Sequence, residues 1–231
     1  LDDFEVYSWI DRIFNGGRNS GLLGDDARAF DWDGMAATLK DRGYSVDRLM
    51  DRDVTVEKLT EKLVEGGAPG VMIYNGHGAS NGSLMTRDLI MEPADFKKAL
   101  ATADPKGLVD AELTKLRDQL RSDGYGDLVD YDGGNAIGIF VVPVELMVGG
   151  RAIYAAVKPS YWKYLREKQG VDFSQSLVYL AACDVDQSGL RDEIKAGSLW
   201  AYRLPMAPAL SGAVGKYLVE SIAKPTWTAE E

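Results

Sequence analysis

The chain has 231 residues, of which 45% are hydrophobic and 27% charged, a composition typical of a globular protein and not of a disordered chain. Its 26 Lys and Arg against 36 Asp and Glu give a formal net charge of −10, which argues against nucleic acid or an anionic membrane as a direct partner. The one Cys and the one His exclude an internal disulfide and exclude metal sites built from several thiolates or imidazoles.

The hydropathy of the chain indicates its cellular location, and its length indicates how many domains it forms. No apolar run approaches the roughly 18–20 residues that a membrane span needs, and no charged-then-apolar leader precedes the first predicted strand. We therefore expect a cytoplasmic protein, and a basic protein or peptide is the partner that suits its charge. The length is sufficient for one domain with a sizeable core, and a first strand that begins almost at residue 1 is compatible with a domain taken from a longer protein.

The first third of the chain predicts alternating strands and helices. Apolar runs at 4–10, 44–50 and 70–75 are typical of strands, helical spacing of apolar residues covers 31–42, and Thr55 is placed to cap a second helix. This order predicts parallel pairing, with helices covering both faces of the sheet.

The middle of the chain follows a less regular pattern. Residues 94–122 are predicted to be helical with an interruption near Pro105, and the acidic, Gly-rich stretch 122–135 to be an exposed loop. Residues 136–157 predict paired strands and 160–168 an amphipathic helix. The alternation then returns, with strands at 176–182 and 197–202 and helices near 187–195 and across 208–223.

The only His and the only Cys each follow a strand of the predicted sheet. His77 lies in "VMIYNGHGAS" (71–80), and Cys183 ends the strand "SLVYLAAC". Carboxyl ends of parallel strands meet at the sheet edge where ligands bind, so we expect a Cys/His pair in which the imidazole activates the thiol. The N–H groups of Gly78 and Cys183 are then the expected oxyanion donors. The alternatives are a core Cys and an incidental loop His.

These segments resemble the caspase-like cysteine peptidases, a group that includes caspases, metacaspases, separase and bacterial CHAT-domain proteases. The resemblance rests on "DWDGMAATLKDRGYSVDRLMDRDVTVEKLTEKL" before "VMIYNGHGA", on "LVYLAACDV", and on "AGSLWAYRLPMAPALSGAVGKYLVESI", and it covers roughly 4–87 and 176–223. It implies a three-layer α/β/α sandwich with a mostly parallel central sheet, a single peptidase domain over 1–231, and a His77–Cys183 dyad that cleaves peptide bonds through a thioester.

Two features depart from the family pattern. The separation 183 − 77 = 106 is about twice the ~50 typical of caspases, so the resemblance implies an insertion at about 88–175 that acts as a lid, a plug or a partner surface. Ala181 occupies the position two residues before the Cys where caspases carry Gln and many metacaspases Asp, so the usual first-pocket residue is absent.

The resemblance also implies residues that bind substrate. Asp11 resembles in position an acidic pocket residue of Arg/Lys-cleaving members, whereas Arg18 and Arg28 resemble the arginine by which caspases hold an aspartate; the acidic chain favours cleavage after a basic residue. Trp200 and Arg203 fall where the strand after the Cys edges the substrate groove, so that an extended peptide adds there by strand pairing. Packing of Trp200 in the core is the alternative.

Other functions stay open at this stage. The acidic stretch "SDGYGD" within 122–135 suggests a calcium site, although it lacks the Glu that completes an EF-hand loop, and we otherwise expect no cofactor. A catalytically inactive caspase-like binding module is the main rival to the endopeptidase. A receiver-like signalling domain shares the strand–helix alternation but needs an acidic cluster at the strand ends. By resemblance to CHAT proteases, a regulatory domain or partner protein is a further expectation.

Overall fold

The structure is a computed structural model that describes residues 31–50, 53–142, 152–187, 189–205 and 208–222, together with the backbone of residues 5–10. In chain order, the strands are β1 (Glu5–Ile10), β2 (Ser45–Met50), β3 (Val71–Asn75), β4 (Leu84–Met91), β5 (Ile137–Val141), β6 (Ile153–Val157), β7 (Leu177–Ala181) and β8 (Ser198–Ala201). The helices are α1 (Trp32–Lys40), α2 (Val56–Glu65), α3 (Pro93–Leu100), α4 (Pro105–Leu120), α5 (Gly126–Asp130), α6 (Pro159–Lys168), α7 (Leu190–Ile194) and α8 (Pro208–Ile222). None of the helices in this part of the chain has the length and apolar character needed to cross a bilayer.

Within the described residues, the larger sheet has five strands in the order β2-β1-β3-β7-β8, and every neighbouring pair is parallel. The predicted mixed α/β class and parallel pairing are therefore confirmed. Because β3 and β7 are neighbours, the segment between them leaves the sheet and returns to the position beside β3.

Helices cover both faces of this sheet. Successive side chains of each strand point to opposite sides, so each face presents apolar side chains that the helices bury. On one face, Val71 and Ile73 of β3 pack with apolar side chains of α1 and α8. On the other face, Met72 and Tyr74 pack in a larger cluster that includes side chains of α2, α6 and α7. The arrangement is three-layered.

The helices begin where their sequences predict. Thr55 Oγ1 accepts a hydrogen bond from Lys58 N at 3.2 Å, which confirms the predicted cap of α2. Asp104 caps α4 and Pro105 occupies its first turn, which explains the predicted interruption between α3 and α4.

A second, antiparallel sheet in the order β4-β6-β5 is built mostly from the segment that the resemblance does not explain. The pairing of β5 with β6 confirms the predicted strands in 136–157. Strand β4 was not predicted. Its register shifts between Met85 and Leu89 and again before Met91, and such bulges break the two-residue periodicity by which strands are recognised.

The prediction that residues 122–135 form an exposed loop is wrong. A π-helical turn at Arg121–Tyr125, helix α5 and a 3₁₀ turn at Tyr131–Gly134 occupy most of it. Leu128 and Val129 are 0% and 1% exposed and belong to the same apolar cluster as α2 and β7. Burial of these two side chains outweighs the loop-forming tendency of the surrounding Gly and Asp.

Candidate active site

His77 and Cys183 occupy equivalent positions beyond two neighbouring strands. β3 pairs with β7 from Val71↔Leu177 to Asn75↔Ala181, a constant offset of 177 − 71 = 106. The two candidate residues share this offset, since 183 − 77 = 106, and each lies two residues past the last pair. Paired strands run about 4.8 Å apart, and a hydrogen bond from Gly76 N to Ala181 O at 3.2 Å continues the pairing past the strand end.

The backbone at His77 is held by two hydrogen bonds to its carbonyl oxygen. Met85 N donates at 3.0 Å, and the Tyr74 hydroxyl donates at 3.0 Å from below the turn. A β-carbon at Gly76 would lie 2.5 Å from the Tyr74 hydroxyl oxygen, so the absence of a side chain at 76 allows Tyr74 to reach the turn. The turn therefore has little freedom to move.

Gly78 contacts the backbone of the Cys183 turn. A β-carbon at Gly78 would lie 2.2 Å from Val185 Cγ1, 2.8 Å from Cys183 O and 2.9 Å from Ala182 Cβ, distances that only glycine avoids. Gly78 and Leu84 form an isolated antiparallel bridge of the type whose hydrogen bonds run between the flanking residues. In that pattern the N–H of a bridged residue points away from the partner strand, so the Gly78 N–H is directed away from β4.

The imidazole of His77 lies in a buried and partly cationic environment. The residue is 9% exposed, and its ring stacks on that of Phe140 with centroids 6.0 Å apart and planes at 28°. Burial first, and then the positive charge of Arg87, lower the pKa of His77 from 6.5 to about 4. His77 is therefore neutral at neutral pH and can accept a proton.

Cys183 is half-buried and lies at the start of a sharp turn. The next residue, Asp184, has φ 58°, a left-handed conformation that is uncommon for a residue with a side chain. Val185, which begins the following 3₁₀ turn, is fully buried and contacts Gly78 as described above. The turn after the thiol is thus fixed against the turn that carries the imidazole.

Asp186 fixes the far end of this turn. Its carboxylate accepts hydrogen bonds from Arg203 Nε at 3.0 Å and Arg191 Nη2 at 3.3 Å, and its side chain is 10% exposed. The Asp186 N–H donates to Tyr202 O at 3.1 Å. Among the described residues, no side chain caps the following helix α7, which Gly189 precedes, so Asp186 binds basic side chains instead.

The structure separates the residues predicted to bind substrate. Ala181 is 5% exposed and packs in the core against α1 and α8, so its burial gives no support to a role in a pocket. Trp200 is 46% exposed on the edge strand β8, which rules out the core alternative. Arg203 is 75% exposed at its side chain and binds Asp186. Asp11 lies outside the described residues, as do Arg18 and Arg28.

The groove beside Trp200 does not lead to the thiol. It has a volume of about 540 Å³ and is lined by residues that include Leu177 and Ser198, the first residues of β7 and β8. Cys183 follows the opposite, carboxyl end of β7. A smaller space of about 320 Å³ lies along β8, beside Arg191 and Tyr202.

Three of the four Asp carboxylates in the 122–135 segment accept hydrogen bonds from protein groups. Asp123 accepts from Gln119, Asp130 from Arg121 and Asp132 from Ser160. Across the described residues, no group of three or more His, Cys, Asp or Glu side chains is arranged to hold a metal ion. The calcium hypothesis finds no support in this geometry.

The sequence did not indicate three residues that shape this site. Phe140 lies against the imidazole, Arg87 acts on its charge, and Tyr74 supports its backbone. Only Tyr74 had a local signal, since it immediately precedes the Asn-Gly-His-Gly turn. Phe140 and Arg87 belong to the second sheet, whose position against β3 no local pattern encodes.

A scan against protein-family models, a search of curated proteins and a search of solved structures each found no significant match to this chain.

Proposed function

We propose that this protein is a cysteine endopeptidase of the caspase-like type, with Cys183 as nucleophile and His77 as general base. The observation that carries the proposal is the shared offset of 106, which sets the only His and the only Cys at equivalent positions beyond neighbouring parallel strands. The sequence resemblance to CHAT-domain proteases and the helix-covered parallel sheet support the same assignment. We place the activity in the cytoplasm, where thiols stay reduced.

The reaction proceeds in two proton-balanced halves. His77 takes the Cys183 thiol proton as sulfur attacks the carbonyl carbon of the substrate, and the Gly78 and Cys183 N–H groups stabilise the resulting oxyanion. The imidazolium gives its proton to the leaving amine as the C–N bond breaks, and a thioester remains on Cys183. His77 then takes a proton from water as the water oxygen attacks the thioester carbon, and the imidazolium returns that proton to the Cys183 sulfur as the C–S bond breaks and the acid product leaves.

The environment of His77 disfavours a stable imidazolium. Burial and Arg87 both disfavour the imidazolium, so the imidazole is neutral in the resting site. A charged imidazole then forms only transiently, while the thiol proton is in transfer.

The preference for a basic residue before the cleaved bond rests on the net charge of −10 and on Asp11. Asp186, the acid three residues after the thiol, is already bound to Arg191 and Arg203. Trp200 and Arg203 on the β8 side remain the proposed contacts for an extended peptide, which would add to this edge strand by main-chain hydrogen bonds.

Peptide-library cleavage by wild type, Cys183→Ala and His77→Gln tests the function. We expect wild type to cleave after Arg or Lys, and each variant to lose about 10³-fold or more in kcat/KM. An arginyl chloromethyl ketone peptide should add once to wild type, by intact mass, and not to Cys183→Ala. Cleavage that persists in Cys183→Ala contradicts the proposal. Neither cleavage nor adduct in wild type would instead favour the inactive binding module.

A matched glycine pair tests the oxyanion assignment. Gly78→Ala should lower kcat about 10²-fold, because the new methyl group displaces the N–H by contact with Val185 and the Cys183 carbonyl. Gly126→Ala is the control, since Gly126 has helical φ −56° and ψ −44° and a β-carbon there would contact nothing within 4 Å. Equal kcat in the two variants would show that the Gly78 N–H is not a donor to the transition state.

A further inference from the structure

Phe140 brings the 88–175 segment into the candidate site. It lies on β5, and its ring stacks on the His77 imidazole at a centroid distance of 6.0 Å and an interplanar angle of 28°. This geometry is that of an offset aromatic stack, which is attractive and orientation-dependent. Phe140 is half-buried, so one part of its ring faces the protein and another stays accessible.

The Phe140 ring is supported from behind. It packs against a small buried cluster of four residues, Met85, Val142, Ala152 and Tyr154. Close packing of this kind leaves a side chain few alternative rotamers. The orientation of the Phe140 ring beside the imidazole is therefore restricted by its packing.

The same cluster contacts the cation that acts on the imidazole. The Arg87 guanidinium lies over the Tyr154 ring, 5.2 Å from its centroid, and Tyr154 is a member of the cluster. Arg87 also acts on the charge of His77. The second sheet thus supplies both a ring and a cation to the environment of His77.

The orientation of the His77 ring depends on its side-chain torsions as well as on its backbone. Its carbonyl is fixed by Met85 N and by the Tyr74 hydroxyl, but rotation about χ2 would still turn the ring nitrogens. Torsions of this sp³–sp² type have broad minima, so the side chain does not by itself hold the ring plane. The Phe140 ring, stacked on the imidazole, restricts this rotation.

We propose that Phe140 is a positioning residue for the reaction proposed above: its ring holds the plane of the His77 imidazole in the orientation required for proton exchange with Cys183. This inference rests on the proposed function. It also gives the 88–175 segment a role distinct from a lid, a plug or a partner surface, because strand β5 becomes part of the catalytic support.

Phe140→Leu and Phe140→Tyr test the proposal, with Val141→Ala, an exposed neighbour on the same strand, as control. Leu should lower kcat about threefold to tenfold with KM nearly unchanged, whereas Tyr should restore kcat to within about twofold of wild type. Urea unfolding of all three variants verifies that each is folded. A parallel rise in KM, no difference between Leu and the control, or failure of Tyr to restore kcat would overturn it.

The single imidazole gives a readout that is independent of peptidase activity. In Phe140→Leu, relaxation dispersion of the His77 ring signals should show new microsecond-to-millisecond exchange that is absent from wild type and Phe140→Tyr. Unchanged ring relaxation in Phe140→Leu overturns the positioning role whatever the cleavage assay gives. Wild type that cleaves no peptide, with ring exchange as expected, would refute the proposed function while retaining Phe140 as the residue that fixes the imidazole.

Discussion

Protonation of the His77 imidazole is opposed by two features of its surroundings, namely burial and the positive charge of Arg87. With a pKa of about 4 the imidazole is neutral over the whole physiological range, and its affinity for a proton is lower than that of a free imidazole. The free energy of unfolding decreases at acid pH, because His77 binds a proton more readily in the unfolded chain than in the folded protein.

Titration of the only histidine measures this effect directly. We expect the imidazole NMR signals of the folded protein to titrate with a midpoint of about 4 instead of 6.5. Since the unfolded chain binds the proton near 6.5 and the folded chain only near 4, wild type should lose stability as the pH falls through this window, by about 3 kcal/mol in total.

Urea unfolding of wild type and His77→Gln at about pH 7 and about pH 4.5 provides the stability measurement. The difference between the two proteins isolates His77 from other groups, including Asp88, whose pKa is raised by burial. A difference that does not change with pH, or an imidazole midpoint near 6.5, would show that the ring is not buried as described.

Among the elements, β4 joins the second sheet to helix α2. The Asp88 carboxylate accepts hydrogen bonds from Val56 N at 2.8 Å and from Thr86 Oγ1 at 2.7 Å, and Arg87 N donates to Val54 O at 2.8 Å. Asp88 therefore satisfies an N–H in the first turn of α2 that the helix itself leaves unbonded. This link helps to position β4 and therefore Met85, whose N–H donates to the His77 carbonyl.

Removal of the link should be costly. We expect Asp88→Ala to lower the free energy of unfolding by about 1–3 kcal/mol, because it leaves the Val56 N–H without an acceptor, whereas the Thr86 hydroxyl keeps Ala155 O. Thr55→Ala, which removes only the helix's own cap, should cost about 1 kcal/mol. Asp95→Ala removes an exposed pair with Lys98 and should change stability by less than about 0.5 kcal/mol. Equal costs for Asp88→Ala and Asp95→Ala in urea unfolding would contradict this account.

Across the whole molecule, one cluster of buried apolar side chains extends from the second sheet and its helices into the larger sheet. It contains Leu128 and Val129 of α5 as well as Leu63 of α2 and Leu180 of β7. The 88–175 segment therefore shares its core with the strands that carry the candidate dyad. A shared core predicts cooperative unfolding of the two parts.

Truncation of Leu128 tests this continuity. We expect Leu128→Ala to destabilise the protein by about 2–5 kcal/mol while a single unfolding transition is kept. Leu108→Ala is the matched control, since that side chain on α4 is 44% exposed, and its cost should stay below about 1 kcal/mol. Two separate transitions, monitored by tryptophan fluorescence and circular dichroism, would show that the segment folds as an independent unit.

The sequence by itself determined the alternation of strands and helices, the cap of α2 by Thr55, and the placement of the only His and the only Cys just after two strands. These features are local, because periodicity and capping act over a few neighbouring residues. Ala181 and Trp200 show the limit of such patterns, since both occupy strands but one is buried and the other exposed.

Only the tertiary structure decided that β7 lies beside β3 with an offset of 106 and that a bulged β4 supports the His77 turn. It also decided that Leu128 is buried in the core and that Phe140 stacks on the His77 ring in the candidate site. The physical reason is that strand order and the docking of one sheet on another depend on apolar burial and hydrogen bonds summed over residues far apart in the chain. Local sequence patterns therefore do not determine strand order or the docking of the two sheets.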